Sequence, residues 1–291
     1  MKIRPWGERL TDAANVALLT LIALAMLLPF WHVLAVSFAS YKEFLEKDIV
    51  WFPQEWVLGA YEYIFASGSF VRSVGVTVYL TVLGTCVNLI FTSTLAYTLS
   101  RPVIGQRLVL MLVMFTLLFS AGMIPTYLVV KETGLIDSLW ALILPIAISP
   151  FNLIVMRQFF LGIPSELHEA AVIDGANDLQ IFGRIILPLS KPSLAAFALF
   201  YAVAHWNNYF AGILYLNTPE KWPIQVILRQ IVVVGEAQTT LGGGQILLEN
   251  APPAETIQMA AIVVATLPIL VVYPFLQKHF TKGVMLGSVK G

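Results

Sequence analysis

Charge is scarce in this chain: Asp, Glu, Lys and Arg together make up 12% of its 291 residues, against 58% apolar. A mean hydropathy of +0.80 lies far above that of a water-soluble domain and excludes one. The 17 basic and 17 acidic residues cancel, so nothing in the net charge suggests a nucleic-acid partner, and the basic residues are read by position rather than by sum. Cysteine is almost missing as well. Cys86 stands alone inside an apolar run, which rules out an intrachain disulfide or a Cys-based metal cluster and leaves it a small packing residue. A phosphate-binding loop is also lacking, because Gly242-Gly243-Gly244 is not followed by Lys-Ser/Thr. The chain therefore cannot hydrolyse a nucleoside triphosphate by itself.

What is present is a series of six apolar segments, at about 13–36, 73–99, 108–130, 138–158, 192–214 and 257–277. Each is bounded by charged or turn-forming residues and is long enough to cross a bilayer core of about 30 Å. The first follows Lys2, Arg4 and Arg9 and superficially imitates a secretory signal. Its 24 residues would extend roughly 36 Å as a helix, beyond the 7–15-residue core of such a signal, so it is read as a retained first span. The sequence predicts an all-α integral membrane protein. An even number of spans puts both termini on one side. In that arrangement eleven Lys and Arg lie on the side of the termini and six lie across. The positive-inside bias makes the termini and the 159–191 loop cytoplasmic. The acidic residues Glu43, Glu46, Asp48, Glu55 and Glu62 crowd the first outer loop.

Three connections are long: 37–72 and 215–256 outside, and 159–191 inside. Function is expected to concentrate in such segments. Inside the spans, ionisable residues are essentially absent, and the polar groups are mainly His32, Asn88, Asn152, His205, Asn207 and Asn208. Carriers driven by ion gradients usually place charged groups at that depth. The two absences together imply that energy comes from a separate ATPase, although on their own they also fit a channel or a scaffold.

The inner loop runs from Ile163-Pro164-Ser165-Glu166 to Ile185-Ile186-Leu187-Pro188. Its local chemistry predicts two short helices. Ser165 after a proline is expected to cap the first, with Glu166 at its positive end, and Gly175 to stop it. Asn177 with Gln180 predicts a capping box for the second, and Pro188 its far end.

Within this loop Glu169-Ala170-Ala171, Gly175, Ile185, Leu187 and Pro188 fill every position of the pattern E-A-A, three residues, G, nine residues, I-x-L-P. The sequence thereby resembles the integral-membrane subunits of bacterial binding-protein-dependent ATP-binding-cassette importers. Asp174, Ala176 and Phe182 further resemble the carbohydrate branch, as do Trp206-Asn207-Asn208-Tyr209-Phe210 and the terminal Val289-Lys290-Gly291. The likeness is to the second permease of maltose-type systems, with six spans. His168 departs from the family, which often carries a charged residue there. The resemblance implies a type I importer permease: a cytoplasmic N-terminus over 1–12, a first span over 13–36, an external loop over 37–72, a permease core over 73–280 and a cytoplasmic tail over 281–291. It implies that the loop docks as a coupling helix on the ATPase, with Glu169 pairing a basic group and Ala170 and Ala171 allowing close approach. It implies that Gly287, Ser288, Val289, Lys290 and Gly291 reach the ATPase interface.

The resemblance further implies a second, homologous permease, two ATPase subunits holding ATP and Mg, an external or periplasmic sugar-binding protein, and an inner-membrane location. No cofactor, metal site or catalytic residue is expected in this chain. Gly122-Met123-Ile124-Pro125 interrupts the third apolar run and Pro145 and Pro150 the fourth, freeing backbone groups that neighbours or a watery cavity must satisfy. His205, Trp206, Asn207, Asn208 and Tyr209 combine ring faces with amides, chemistry suited to sugar hydroxyls, and Asn152 is a further candidate for the pathway. The same residues also fit an interfacial aromatic anchor. Phe119–Tyr127 and Lys131–Leu135 look like the branch that takes up oligosaccharides from polysaccharide breakdown, including acidic ones. Competing readings are a secondary transporter, a non-transporting scaffold, a permease for a non-sugar solute, and a CDP-alcohol phosphotransferase suggested by Asp174-Gly175-Ala176. The last fails because Asp174 and Asp178 lack the further acidic residues that would hold its metals.

Overall fold

Apolar residues dominate every long segment, so boundaries fall where proline, glycine or a polar cap interrupts them. The computed structural model describes residues 6–47, 49–233 and 252–284, and every regular element among them is helical. Helix α1 spans Trp6–Ser37, α2 Tyr41–Glu46, α3 Gly59–Ala66 and α4 Gly68–Leu99. Then come α5 at Gln106–Leu118, α6 at Met123–Glu132, two 3-10 turns at Leu139–Leu142 and Leu144–Ile146, and α7 at Pro150–Leu161. The 159–191 loop holds α8 at Ser165–Ile173 and α9 at Asp178–Ile181, a π-turn at Phe182–Ile186, and α10 at Leu187–Leu189. Helices α11 at Lys191–Trp206, α12 at Phe210–Tyr215, α13 at Ile224–Val232 and α14 at Ala254–Val284 complete the chain.

Among the described residues, α1 from Thr11, α4, and α14 as far as Pro274 are each long and apolar enough to cross a membrane. The other expected spans are broken. The third divides into α5 and α6, of 13 and 10 residues, roughly 20 and 15 Å long, each short of a bilayer. Gly122 sits at the break with φ 85° and ψ 178°, a region essentially reserved for glycine. The fourth consists of the two 3-10 turns and α7, bent by 52°. The fifth stops at Trp206 and resumes at Phe210, so the uninterrupted run expected over 192–214 is replaced by a helix, a three-residue break and a short helix.

The chain divides into two compact units, one of residues 1–71 with 228–266 and the other of 72–227 with 267–291. In the first, Val36 and Ala39 at the end of α1 pack with Val50, and Phe44 and Met259 lie against them. Trp31 Nε1 donates to the Trp51 carbonyl at 2.8 Å, and the Trp31 ring meets Phe52 edge to face. Glu43 is buried there. Its carboxylate accepts from Lys47 Nζ at 2.7 Å and from the Gln54 N–H at 2.9 Å. The Lys47 ammonium, with the Gln54 N–H adding to it, holds Glu43 below the usual carboxylate range despite burial.

The second unit is organised along α4. Its buried face recurs every three or four residues, at Ser73, Thr77, Leu80, Gly84, Asn88, Thr92, Ala96 and Leu99, the period of a helix packed on one side. Toward the α4 N-terminus, Leu80 joins Val130, Ala141, Leu142, Ile143, Tyr215 and Leu216 in one apolar cluster. Toward its C-terminus, Ala96, Tyr97 and Leu99 join Leu153, Met156, Phe160, Ile181, Ile186, Phe197 and Tyr201 in another. The middle of the same face is polar: Gly84, Asn88 and Thr92 lie between the clusters.

Candidate coupling loop and pathway

The 159–191 loop is built on two caps. Helix α8 ends in a Schellman turn, in which the Ala176 N–H reaches the Ala171 carbonyl at 2.9 Å and the Gly175 N–H reaches Val172 at 3.0 Å. Gly175 supplies the left-handed φ of 82° that this turn requires. The predicted capping box is present in full: Asn177 Oδ1 accepts from the Gln180 N–H at 2.9 Å and Gln180 Oε1 from the Asn177 N–H at 3.0 Å. Two expectations change. Pro164 takes the N-cap position of α8, so Ser165 is already helical and makes no cap bond. Pro188 does not end the second helix. Lacking an N–H, it cannot bond the Arg184 carbonyl, and the helix instead widens one turn earlier, where the Leu187 N–H bonds the Phe182 carbonyl in a π-turn. The chain then bends by 82° between Asp178–Leu189 and Lys191–Trp206.

The loop has an inner and an outer side. Ala171 is buried with Ile181, Ile186, Met156 and Phe160, so it serves the core, while its neighbours Glu169 and Ala170 are exposed. Phe182 is half-buried against Tyr97, ring centroids 5.0 Å apart, and the Arg101 guanidinium lies over the same Tyr97 ring. Arg157 Nε and Gln106 Nε2 both donate to the Leu99 carbonyl, at 2.6 and 2.7 Å, satisfying and neutralising the negative end of α4. Asp174, Gly175 and Pro188 are exposed, and Ala176, Ile185 and Leu187 are half-buried. Sequence reasoning missed the apolar groups on the outer side: Ile173 and Leu179 are 85% and 81% exposed. Their signal was that apolar residues of α8 occupy both faces of a short helix, more than one core contact needs.

Helix α6 of the third segment and the breaks in the fourth and fifth meet around a cavity of about 530 Å³, lined by Thr126, Pro145, Ile146, Asn207, Asn208 and Tyr209 among others. A second cavity of about 470 Å³, with Pro125, Val129 and Leu144 in its wall, shares Thr126 and Pro145 with the first. The candidate pathway residues thus separate. Asn207, Asn208 and Tyr209 line the cavity, whereas His205, Trp206 and Asn152 are buried and do not line it. Asn208 Oδ1 accepts from the Ala211 N–H at 3.3 Å at the start of α12. Asn207 Nδ2 donates to the Val203 carbonyl at 2.9 Å, closing the end of α11.

A two-rung polar ladder lies between α4 and α11. His205 Nε2 pairs with Asn88 Oδ1 at 2.6 Å, and Tyr201 Oη pairs with Thr92 Oγ1 at 2.7 Å. The rungs are four residues apart on both helices, one turn, and run in opposite chain directions. Each rung also serves the broken fourth segment. Asn88 Nδ2 donates to the Ile146 and Ala147 carbonyls at 2.5 and 3.0 Å, and the Ser149 N–H donates to Tyr201 Oη at 3.3 Å. The Ile146 carbonyl needs such a donor because residue 150, its helical partner, is a proline. Gly84 makes room, since a Cβ there would stand 2.4 Å from His205 Nε2.

Elsewhere in the same unit Asp137 holds two loops together. Its carboxylate accepts from the Asn217 and Thr218 N–H groups at 3.0 and 2.9 Å, from Thr218 Oγ1 at 2.6 Å and from Lys221 Nζ at 2.7 Å. The Lys221 ammonium, then the Thr218 hydroxyl, pushes the Asp137 carboxyl far below the usual carboxylate range. Asp137 has φ 60°, a left-handed conformation that aspartate tolerates. Gly287, Ser288, Val289, Lys290 and Gly291, like the Gly242–Gly244 run, lie outside the described residues.

The sequence profile of the family described as "Binding-protein-dependent transport system inner membrane component" matches residues 91–286, from mid-α4 through the loop and the cavity-lining breaks. The chain belongs to that family. This permease is 52% identical over 289 residues to the polygalacturonan/rhamnogalacturonan transport system permease protein YtcP of Bacillus subtilis strain 168, covering 98% of this chain and 99% of that one. It is 51% identical over 285 residues to protein LplC of the same organism, covering 97% and 96%. Among solved structures, a chain of a bacterial ABC transporter involved in the import of the acidic polysaccharide alginate superposes with a TM-score of 0.90 at 34% identity, covering 96% of this permease and 100% of that chain. The permease therefore has the fold of an ABC importer membrane subunit and carries transport, with no ATP-hydrolysing site of its own.

Proposed function

We propose that this permease carries an oligosaccharide released from polysaccharide breakdown across the inner membrane, along a path that includes the cavity at Asn207, Asn208 and Tyr209. The observation that carries the reading is the cavity wall itself. Its amides, the Thr126 hydroxyl and the Tyr209 ring match the hydroxyls and apolar faces of a sugar. The named lining residues include no charged group, so selection for an acidic sugar, the cargo class named for the alginate importer, belongs to other parts of the assembly.

The assembly comprises this chain with its six spans, a homologous second permease, two ATPase subunits that bind ATP and Mg, and an external or periplasmic sugar-binding protein. Both termini and the 159–191 loop face the cytoplasm, within a permease core over 73–280. The charge bias supports this, with Arg101, Arg157, Arg184 and Lys191 among the eleven basic residues on that side. The loop docks on the ATPase through its outer side, with Glu169 and Ala170 beside Ile173 and Leu179, while Asp174, Gly175 and Ala176 set the turn and Phe182, Leu187 and Pro188 the arm behind it. The tail Gly287–Gly291 is a second ATPase contact.

The test uses the whole importer in vesicles with its binding protein and a graded series of galacturonan, rhamnogalacturonan and alginate fragments. Longer oligosaccharides should stimulate vanadate-sensitive ATP hydrolysis and uptake. Preference for disaccharides, or uptake that runs on an ion gradient without ATP, overturns the reading.

A further inference from the structure

We propose that Asn88 is a positioning residue of the translocation path: it fastens the breaks of the fourth and fifth segments to each other, and so sets the shape of the cavity that admits cargo. The proposal rests on the reading of that cavity as the cargo path. One side chain uses its whole amide. The Nδ2 group holds the Ile146 and Ala147 carbonyls, and Oδ1 holds His205 Nε2. Ile146 is itself in the cavity wall, and His205 stands two residues before Asn207, which is also in the wall. Asn88 is fully buried, so no solvent replaces a lost bond, and an unmet carbonyl at that depth must find a new partner by moving.

The neighbouring rung does not duplicate it. Tyr201 Oη, itself paired with Thr92, accepts from the Ser149 N–H, whereas the backbone groups of the fourth segment that Asn88 satisfies are carbonyls. Gly84 completes the arrangement by letting the imidazole lie against α4, and the fastener therefore depends on a close approach as well as on hydrogen bonds. Its consequence is that cavity shape is controlled from a residue that does not itself line the cavity.

The experiment uses the reconstituted importer in a Cys86→Ala background, with a reporter thiol introduced by Asn207→Cys. Asn88→Leu keeps the volume and removes every bond. The complex should assemble in normal amount, the thiol-labelling rate at 207 should change several-fold, and uptake should fall about tenfold, with an altered ratio of long to short oligosaccharides. Unchanged labelling and uptake overturn the proposal. Should Asn88→Leu fail to assemble, His205→Gln and His205→Ala decide. The glutamine can still donate to Asn88 and should keep uptake within about twofold, while the alanine should lose about tenfold. Equal behaviour of the two overturns the proposal. Asn207→Trp, which fills the cavity, separates the two readings. If it leaves uptake intact the cavity is not the path, whereas labelling of the Asn207→Cys protein, with and without Asn88→Leu, still judges whether Asn88 shapes the wall.

Discussion

Single residues carry the closest tolerances in this permease. Gly84→Ala would place a methyl 2.4 Å from His205 Nε2, and the ring cannot simply swing away because its Nε2 is held by Asn88. The expected outcome is a loss of about 1–3 kcal/mol from overpacking, read as a lowered Tm in detergent. Gly75→Ala, in the same helix with nothing within 4 Å of the new Cβ, should match or exceed wild type because alanine favours the helix. Asp137 gives a pH signature outside the membrane-spanning segments. Its folded-state value is depressed by Lys221 and Thr218. Its stabilisation is therefore complete above the unfolded carboxyl value of about 3.9, and is lost as pH falls below that toward the folded value. Asp137→Asn should melt below wild type at pH 7, and the gap should narrow as melts are taken below about pH 4. A gap that stays constant to pH 3 would contradict the clamp. Neither residue was legible beforehand: Asp137 is one aspartate in a loop, and Gly84 one of several small residues in a span.

At the scale of elements, the loop shows which chemistry reads out locally. Asn177 and Gln180 lie three residues apart and Gly175 follows a helix-forming run, so both caps depend on neighbours in sequence and were predictable. The helix-entry cap was misread because proline at 164 competes for the same position as the Ser165 hydroxyl. The two alanines could not be assigned to opposite sides from spacing alone, since adjacent residues of a helix diverge by about 100° and only the packing partner says which is inside. That division yields a test. Ile173→Asp puts charge on the outer side and should reduce ATPase co-purification at least tenfold, with little change in Tm, given that apolar anchors commonly dominate an interface at about 2 kcal/mol or more each. Ala171→Asp instead buries an unpaired carboxylate in the core and should prevent assembly altogether. Equal loss of co-purification from both, with equal loss of Tm, would mean that Ile173 is a packing residue rather than a docking one.

At the scale of the whole molecule, the topology rests on charge bias and apolar length, and it can be checked by position. In a Cys86→Ala background, thiols introduced by Glu169→Cys and Ser288→Cys should react with impermeant reagent only when the cytoplasmic face is open, and one introduced by Trp56→Cys only from outside. Labelling of Glu169→Cys from the outside would invert the arrangement. The sequence by itself determined the membrane class, the family, the Gly175 stop and the Asn177–Gln180 capping box, because each depends on composition or on residues a few positions apart. It also located the prolines that break the fourth segment and stated that freed backbone groups there must be met. Only the tertiary structure decided what meets them. Asn88 lies 58 residues from the Ile146 carbonyl and 117 from His205, and no local pattern joins such distances. The same holds for His205, whose residue type suggested sugar contact and whose burial against Gly84 makes it part of the wall's support. A chain in a bilayer must satisfy its broken backbone from within, so which side chain does so depends on which helices pack together.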